Sequence, residues 1–167
     1  MIILMAGLPG SGKTTLAREL AARTSGIVLN KDEIRAVLFP PGEIEYSIEQ
    51  DDFCMNVMLE VASYLLRKNS SRMVFVDGRP FSRRYQIDQV VQEADKVSQP
   101  WRILHCMCSE ATARQRLQQD PHVAGNRNFD LYLRIKESFE VIERPQILID
   151  TDEPLEACVE QVMHGLS

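Results

Sequence analysis

The sequence lacks a paired cysteine motif, an excess of basic charge and any long apolar run, and each absence removes a class of protein. Its four cysteines, Cys54, Cys106, Cys108 and Cys158, show no C-x-x-C spacing. Neither a zinc ribbon nor a dithiol redox centre is expected, and the thiols read as free ones in a reducing compartment. Cys106 and Cys108 alternate along an apolar run, which predicts a shared strand face and a packing role. Acidic residues outnumber basic ones, 24 against 19, for a formal charge of -5. That balance disfavours a protein that coats nucleic acid. A local basic cluster, Arg67, Lys68, Arg72, Arg79, Arg83 and Arg84, reads first as a solvated helix end and a loop. No apolar run approaches the roughly 18 residues of a membrane span, and the chain opens on MIILMAG with no basic leader, so the expected location is cytoplasmic, with no membrane partner. There is no internal repeat, low-complexity tract or linker. A length of 167 residues suits one domain, 1–167, able to bury roughly 70% of its unfolded surface.

What is present is an alternation of two patterns. Five short runs rich in Ile, Val, Leu and Phe read as buried strands: IILMA at 2–6, GIVLN at 26–30, MVFVD at 73–77, RILHCMC at 102–108 and QILID at 146–150. Between them, three- and four-residue spacing of apolar side chains marks helices. Leu16, Leu20 and Ala21 mark one, and Phe53, Val57, Val61 and Tyr64 another. Ile87, Val90, Val91 and Ala94 mark a third, and Leu155, Cys158, Val159 and Val162 a fourth. Such alternation predicts an α/β three-layer sandwich around a parallel five-stranded sheet. PPGEIEYS and the segment 119–130, QDPHVAGNRNFD, read as loops long enough to act as lids or binding loops.

Gly7 to Thr14, GLPGSGKT, fits G-x-x-x-x-G-K-[ST] between a strand and a helix, the context that a phosphate loop requires. Glycines let successive N–H groups turn towards phosphate oxygens at a helix N-terminus. Gly7, Leu8, Pro9, Gly10, Ser11, Gly12, Lys13, Thr14 and Thr15 are therefore the candidate nucleotide-binding residues. Lys13 is expected to reach the β- and γ-phosphates of ATP, and the Thr14 hydroxyl to bind Mg²⁺. NKDE at 30–33 has Glu33 where a guanine-reading N-K-x-D has aspartate, and it follows the second strand, too early for that role. The chain is also too short for the helical domain that large mechanical ATPases carry, which leaves a small phosphotransferase. If the sheet is wound in the common way, the second strand ends beside the phosphate loop, so Asp32 is placed to take a proton from an acceptor hydroxyl. Aspartate is also a preferred N-cap, and a cap on the helix EIRAVLF is the other reading of Asp32.

GLPGSGKTT, NKDEIR, VFVDGRPFSRR and SEATARQRL together resemble the kinase domain of polynucleotide 5′-hydroxyl kinases and related small P-loop kinases. That wider group includes gluconate kinase, chloramphenicol phosphotransferase and the zeta toxins. The resemblance implies a P-loop NTPase of nucleoside-kinase-like fold. It makes Asp32 the general base, Arg35 an acceptor-side contact, Asp77 the carboxylate near metal and acceptor, and Arg116 the arginine that begins a lid over the phosphates. MVFVD also has the form of a strand closed by a metal-holding acid, which again puts Asp77 at the site with Thr14. Arg79 is the candidate contact to an anionic acceptor. The chain departs from the phage-type polynucleotide kinase in having no phosphatase domain, and it offers only Arg127 within the lid, 120–130. His105, His122 and His164 read as packed or solvated, and Trp101 as core or edge.

The expected activity is transfer of the γ-phosphoryl group of ATP, with Mg²⁺, to a hydroxyl acceptor. That acceptor is either a small polar metabolite or antibiotic, or a polynucleotide 5′-hydroxyl, nucleic acid entering only in that role. The alternative is an ATP-binding regulatory or adaptor protein with no acceptor. A monomer or weak dimer is expected.

Overall fold

In the computed structural model, which describes residues 1–119 and 128–166, strand β1 (Ile2–Ala6) occupies the centre of a parallel sheet. The other strands are β2 (Ile27–Asn30), β3 (Val74–Asp77), β4 (Trp101–Met107) and β5 (Ile147–Asp150), in the order β2-β3-β1-β4-β5. Register sets Leu4 opposite Val76 on one side and Ile103 on the other. Every residue of β1 is fully buried, as a parallel strand covered on both faces requires.

The pleat of β1 divides the core in two. Ile2, Leu4 and Ala6 face helices α3 (Ile48–Lys68) and α4 (Arg84–Lys96). Ile3 and Met5 face α1 (Lys13–Thr24) and α7 (Leu155–Leu166). Each helix contributes an apolar stripe at helical spacing, Leu16, Ala17 and Leu20 from α1 and Ile87, Val90 and Ala94 from α4. Three further helices crown or flank the carboxyl edge: α2 (Lys31–Leu38), α5 (Glu110–Gln119) and α6 (Phe129–Glu137).

Three expectations need correction. The face of α3 that meets the sheet is Met55, Met58, Leu59, Ala62 and Leu66. Phe53 and Tyr64, which the spacing had marked, are 52% and 55% exposed. Two interleaved apolar frames compete along this helix, and slender methionine and alanine side chains let it approach the sheet, at β2 and β3, more closely than rings would. Secondly, β3 separates β2 from β1, so the strand beside the phosphate loop is the one that ends in Asp77. Thirdly, β4 ends at Met107, and Cys108 lies beyond it, half-buried, while Cys106 packs in the core. Leu155, at the first position of α7, is also exposed.

Candidate functional site

The phosphate loop owes its shape to backbone conformations that side chains resist. Gly10 and Gly12 have φ of 80° and 77°. A Cβ on Gly7 would lie 2.2 Å from the Cys106 carbonyl oxygen, and one on Gly10 would lie 2.9 Å from that of Ala113. Only glycine lets the loop lie this close to β4 and α5. Helix α1 then begins at Lys13 with Gly12 as its N-cap and no side-chain cap. Its leading N–H groups and the positive end of its dipole are what an anion would meet there. Lys13 Nζ donates to the carbonyls of Gly7 and Leu8, both at 2.8 Å, and Thr15 is exposed on the first turn.

Thr14 and Asp77 meet as the sequence led us to expect. The Thr14 hydroxyl donates to Asp77 Oδ2 at 2.7 Å, and Asn30 Nδ2 donates to the same oxygen at 2.8 Å. Asp77 is fully buried, and its Oδ1 has no hydrogen-bond partner. A hydroxyl beside a carboxylate with an unsatisfied oxygen suits a hard divalent cation such as Mg²⁺, which takes few protein ligands and keeps several waters.

Asp32 does not cap α2. Asn30 does: its side-chain oxygen accepts from the backbone N–H groups of Asp32 and Glu33, at 3.0 and 3.3 Å. Asp32 therefore sits on the first turn with its carboxylate directed elsewhere, into a cleft of about 160 Å³ that it shares with Lys13, Thr14 and Asp77. Arg35, one turn on, donates to Asp32 Oδ1 at 2.8 Å and also pairs with Asp51. It is 2% exposed and lies behind Asp32, outside the cleft lining. Lys31 completes the group, 2.7 Å from Asp51 and 3.4 Å from Asp32. The far walls come from Tyr46 before α3 and from Leu131 and Ile135 of α6. Arg79 lines the same cleft and pairs with Asp52 at 2.7 Å.

Arg116 projects from α5 onto the phosphate loop. Its guanidinium donates to Gly10 O at 3.3 Å, and to Thr151 Oγ1 and Thr151 O at 3.0 and 2.7 Å. Thr151, just past β5, lies 3.1 Å from the Ser11 carbonyl oxygen and so ties this arginine to the loop. Arg127 and most of the expected lid, 120–127, lie outside the described residues, as does His122. The elements flanking that segment are joined, since the Arg114 guanidinium lies 3.7 Å over the Phe129 ring and Lys136 pairs with Glu110 at 2.9 Å.

Asn30, Lys31, Tyr46, Asp51, Asp52 and Thr151 are site residues that sequence reasoning missed. For Asn30 a signal existed, N-x-x-E ahead of an apolar pattern, which is an N-terminal helix signature. The cysteines do not join the site chemistry. Burial pushes the Cys106 thiol up to about 12, and Cys108 is raised for the same reason, so neither is a ready thiolate. His105 is lowered by burial, with Lys13 adding to the effect and the Gln146 hydrogen bond opposing it. Its ring stacks on Phe139 at 5.6 Å.

A five-stranded parallel sheet with a phosphate loop at its carboxyl edge and helices on both faces is the P-loop kinase-like α/β fold. The chain belongs to the AAA domain family, matched over residues 2–141. No curated protein matches it. Among solved structures, the APS kinase CysC of Mycobacterium tuberculosis, in complex with AMPPNP and APS, is 16% identical with a TM-score of 0.73. The alignment covers 99% of this chain and 96% of that one. A gluconokinase from Sinorhizobium meliloti 1021 is 18% identical with a TM-score of 0.68, covering 99% and 90%. Kti12 of Chaetomium thermophilum, in complex with ADP-AlF3, is 19% identical with a TM-score of 0.71, covering 99% and 97%. At these identities the likeness is one of fold. No helix among the described residues is long and apolar enough to cross a membrane.

Proposed function

We propose that the protein is an ATP-dependent kinase that transfers the γ-phosphoryl group to a hydroxyl acceptor. The observation that carries this reading is the convergence of Lys13, Thr14, Asp77 and Asp32 on one cleft. A protein that only bound nucleotide would have no use for a carboxylate held there by two cations, Lys31 and Arg35. Gluconokinase and APS kinase, which share the fold, support it further.

In this reaction the acceptor oxygen forms a bond to the γ-phosphorus while the bond to the β–γ bridging oxygen breaks, and ADP leaves with that electron pair. Asp32 takes the acceptor's proton. Arg35 and Lys31 both hold the carboxylate by Oδ1, so that its other oxygen is kept for the acceptor. Lys13, the loop N–H groups and Arg116 stabilise charge on the phosphates. Thr14 and Asp77 would hold Mg²⁺, which would neutralise charge on the β- and γ-phosphates. The cleft's small volume, and α6 closing one side of it, favour a small polar acceptor over a polynucleotide 5′ end.

The test is a γ-phosphate transfer screen over hydroxyl-bearing metabolites, antibiotics and 5′-hydroxyl oligonucleotides. Asp32→Asn should lower kcat by about 10² or more with ATP affinity nearly unchanged. Undiminished turnover in that variant would remove Asp32 as the base.

A further inference from the structure

Arg79 follows the left-handed Gly78 (φ 87°) at the end of β3 and is carried into the acceptor cleft between Asp77 and Pro80. Its side chain is 2% exposed. One nitrogen, Nη2, is taken by Asp52 at 2.7 Å and by the Tyr85 hydroxyl at 3.0 Å, and the guanidinium lies 5.6 Å from the centre of the Tyr85 ring. The other two, Nε and Nη1, are buried and have no hydrogen-bond partner. Buried donors are nearly always satisfied in folded proteins, and a fixed guanidinium with two unsatisfied N–H-bearing nitrogens matches an oxyanion. The other cations around the cleft are already engaged. Lys31 and Arg35 are paired with Asp32 and Asp51, and Lys13 is folded onto loop carbonyls.

We infer that Arg79 is the acceptor's anion-binding residue, and that the acceptor is a small hydroxy compound bearing a carboxylate or phosphate group. This rests on the kinase reading of the same cleft. Asp52 and Tyr85 hold the guanidinium from one side and leave Nε and Nη1 for the ligand. The acceptor's hydroxyl then faces Asp32, and its less polar flank meets Pro80, Leu131 and Ile135, which line the same space.

Binding and turnover test this separately. Glycerate, gluconate and glycerol 3-phosphate are each titrated by calorimetry into the protein holding AMPPNP and Mg²⁺, against glyceramide, glucose and glycerol as neutral counterparts. At least one acid should bind about tenfold or more tighter than its neutral counterpart. Arg79→Gln and Arg79→Lys should remove that preference while leaving AMPPNP affinity unchanged. A carboxylate acceptor and a phosphate acceptor are told apart by which arm shows it. In turnover, Arg79→Lys should raise KM for the preferred acid with a smaller change in kcat. Equal binding of acids and neutral counterparts by the unaltered protein, no binding by any of the three acids, or preference for a 5′-hydroxyl oligonucleotide would overturn the inference. The first and third would do so without disturbing the kinase reading. Tight acid binding with no transfer would instead sink the kinase reading and leave the anion site standing.

Discussion

Arg35 separates two roles that give opposite results in the same variant. If it touched the acceptor, Arg35→Ala would raise the acceptor KM and leave the fold alone. Its burial argues otherwise. The side chain is 2% exposed, pairs with both Asp32 and Asp51, and lies 5.3 Å from the centre of the Tyr46 ring. Removing it leaves two neighbouring carboxylates with only Lys31 between them. Breaking a buried pair by deleting one partner costs about 3–5 kcal/mol. Asp51 is 24% exposed and Lys31 remains, so the lower end applies, about 3 kcal/mol. At about 2–4 °C per kcal/mol for a domain of this size, Tm should fall by about 6–12 °C. Thermal unfolding by circular dichroism reads that directly. Steady-state kinetics at a temperature where the variant is folded should show kcat down about tenfold, because Asp32 loses the group that fixes it. A variant combining Arg35→Met with Asp51→Asn should recover part of the lost stability, since it removes an unpaired charge along with its partner. A Tm within about 1 °C of the parent, together with a raised acceptor KM, would refute this reasoning and restore Arg35 as a contact.

Three further outcomes are expected. Lys13→Ala should lower transfer by at least about 10² by removing a cation from the migrating charge, while circular dichroism shows an intact fold; normal turnover would undo the phosphate-loop assignment. Asp77→Asn should hold or raise Tm, because the amide oxygen can still accept from Thr14 and Asn30 and a buried charge is gone, yet transfer should fall by about 10² or more at any Mg²⁺ concentration. A destabilised but fully active Asp77→Asn would mean a structural carboxylate. His105 carries a sign for pH: its folded pKa lies below 6.5, so just below pH 6.5 the unfolded chain binds more protons. Stability from this residue is complete above that pH and is lost as pH falls through the folded value. Urea unfolding between pH 5 and 7 should show a slope that His105→Gln flattens, and parallel profiles for the two proteins would exclude the effect.

The strands, the phosphate loop and Asp77 were legible because each is a local pattern: an apolar run, a glycine spacing, an acid closing a strand. What was not legible depends on competition or on distance. Along α3 two apolar frames have nearly the same period, and only the space above the sheet chooses Met55 and Met58 over Phe53 and Val57. Asp51 and Asp52 lie some twenty residues along the chain from Asp32, on another helix, and no spacing rule announces that Lys31, Arg35 and Arg79 would need them. The strand order, with β3 between β2 and β1, is likewise decided by packing rather than by any one segment.

Asn30 shows why Asp32 reaches the site even though its strand is at the sheet edge. The β2–β3 register sets Asn30 opposite Asp77, and the asparagine side chain uses both of its ends. Its amide nitrogen donates to Asp77 Oδ2, and its oxygen caps α2 through the N–H groups of Asp32 and Glu33. Aspartate or serine would cap as well, but neither offers an NH₂ group for a carboxylate while its oxygen is engaged by the helix. Gly78 permits the approach, since a Cβ there would lie 2.7 Å from the Lys31 backbone nitrogen. One side chain thus fixes the first turn of α2 against the carboxylate that would hold the metal. A slip of one residue in that register would turn Asn30 to the other face of the sheet, and would part Asp32 from Thr14 and Asp77 without altering any motif in the sequence.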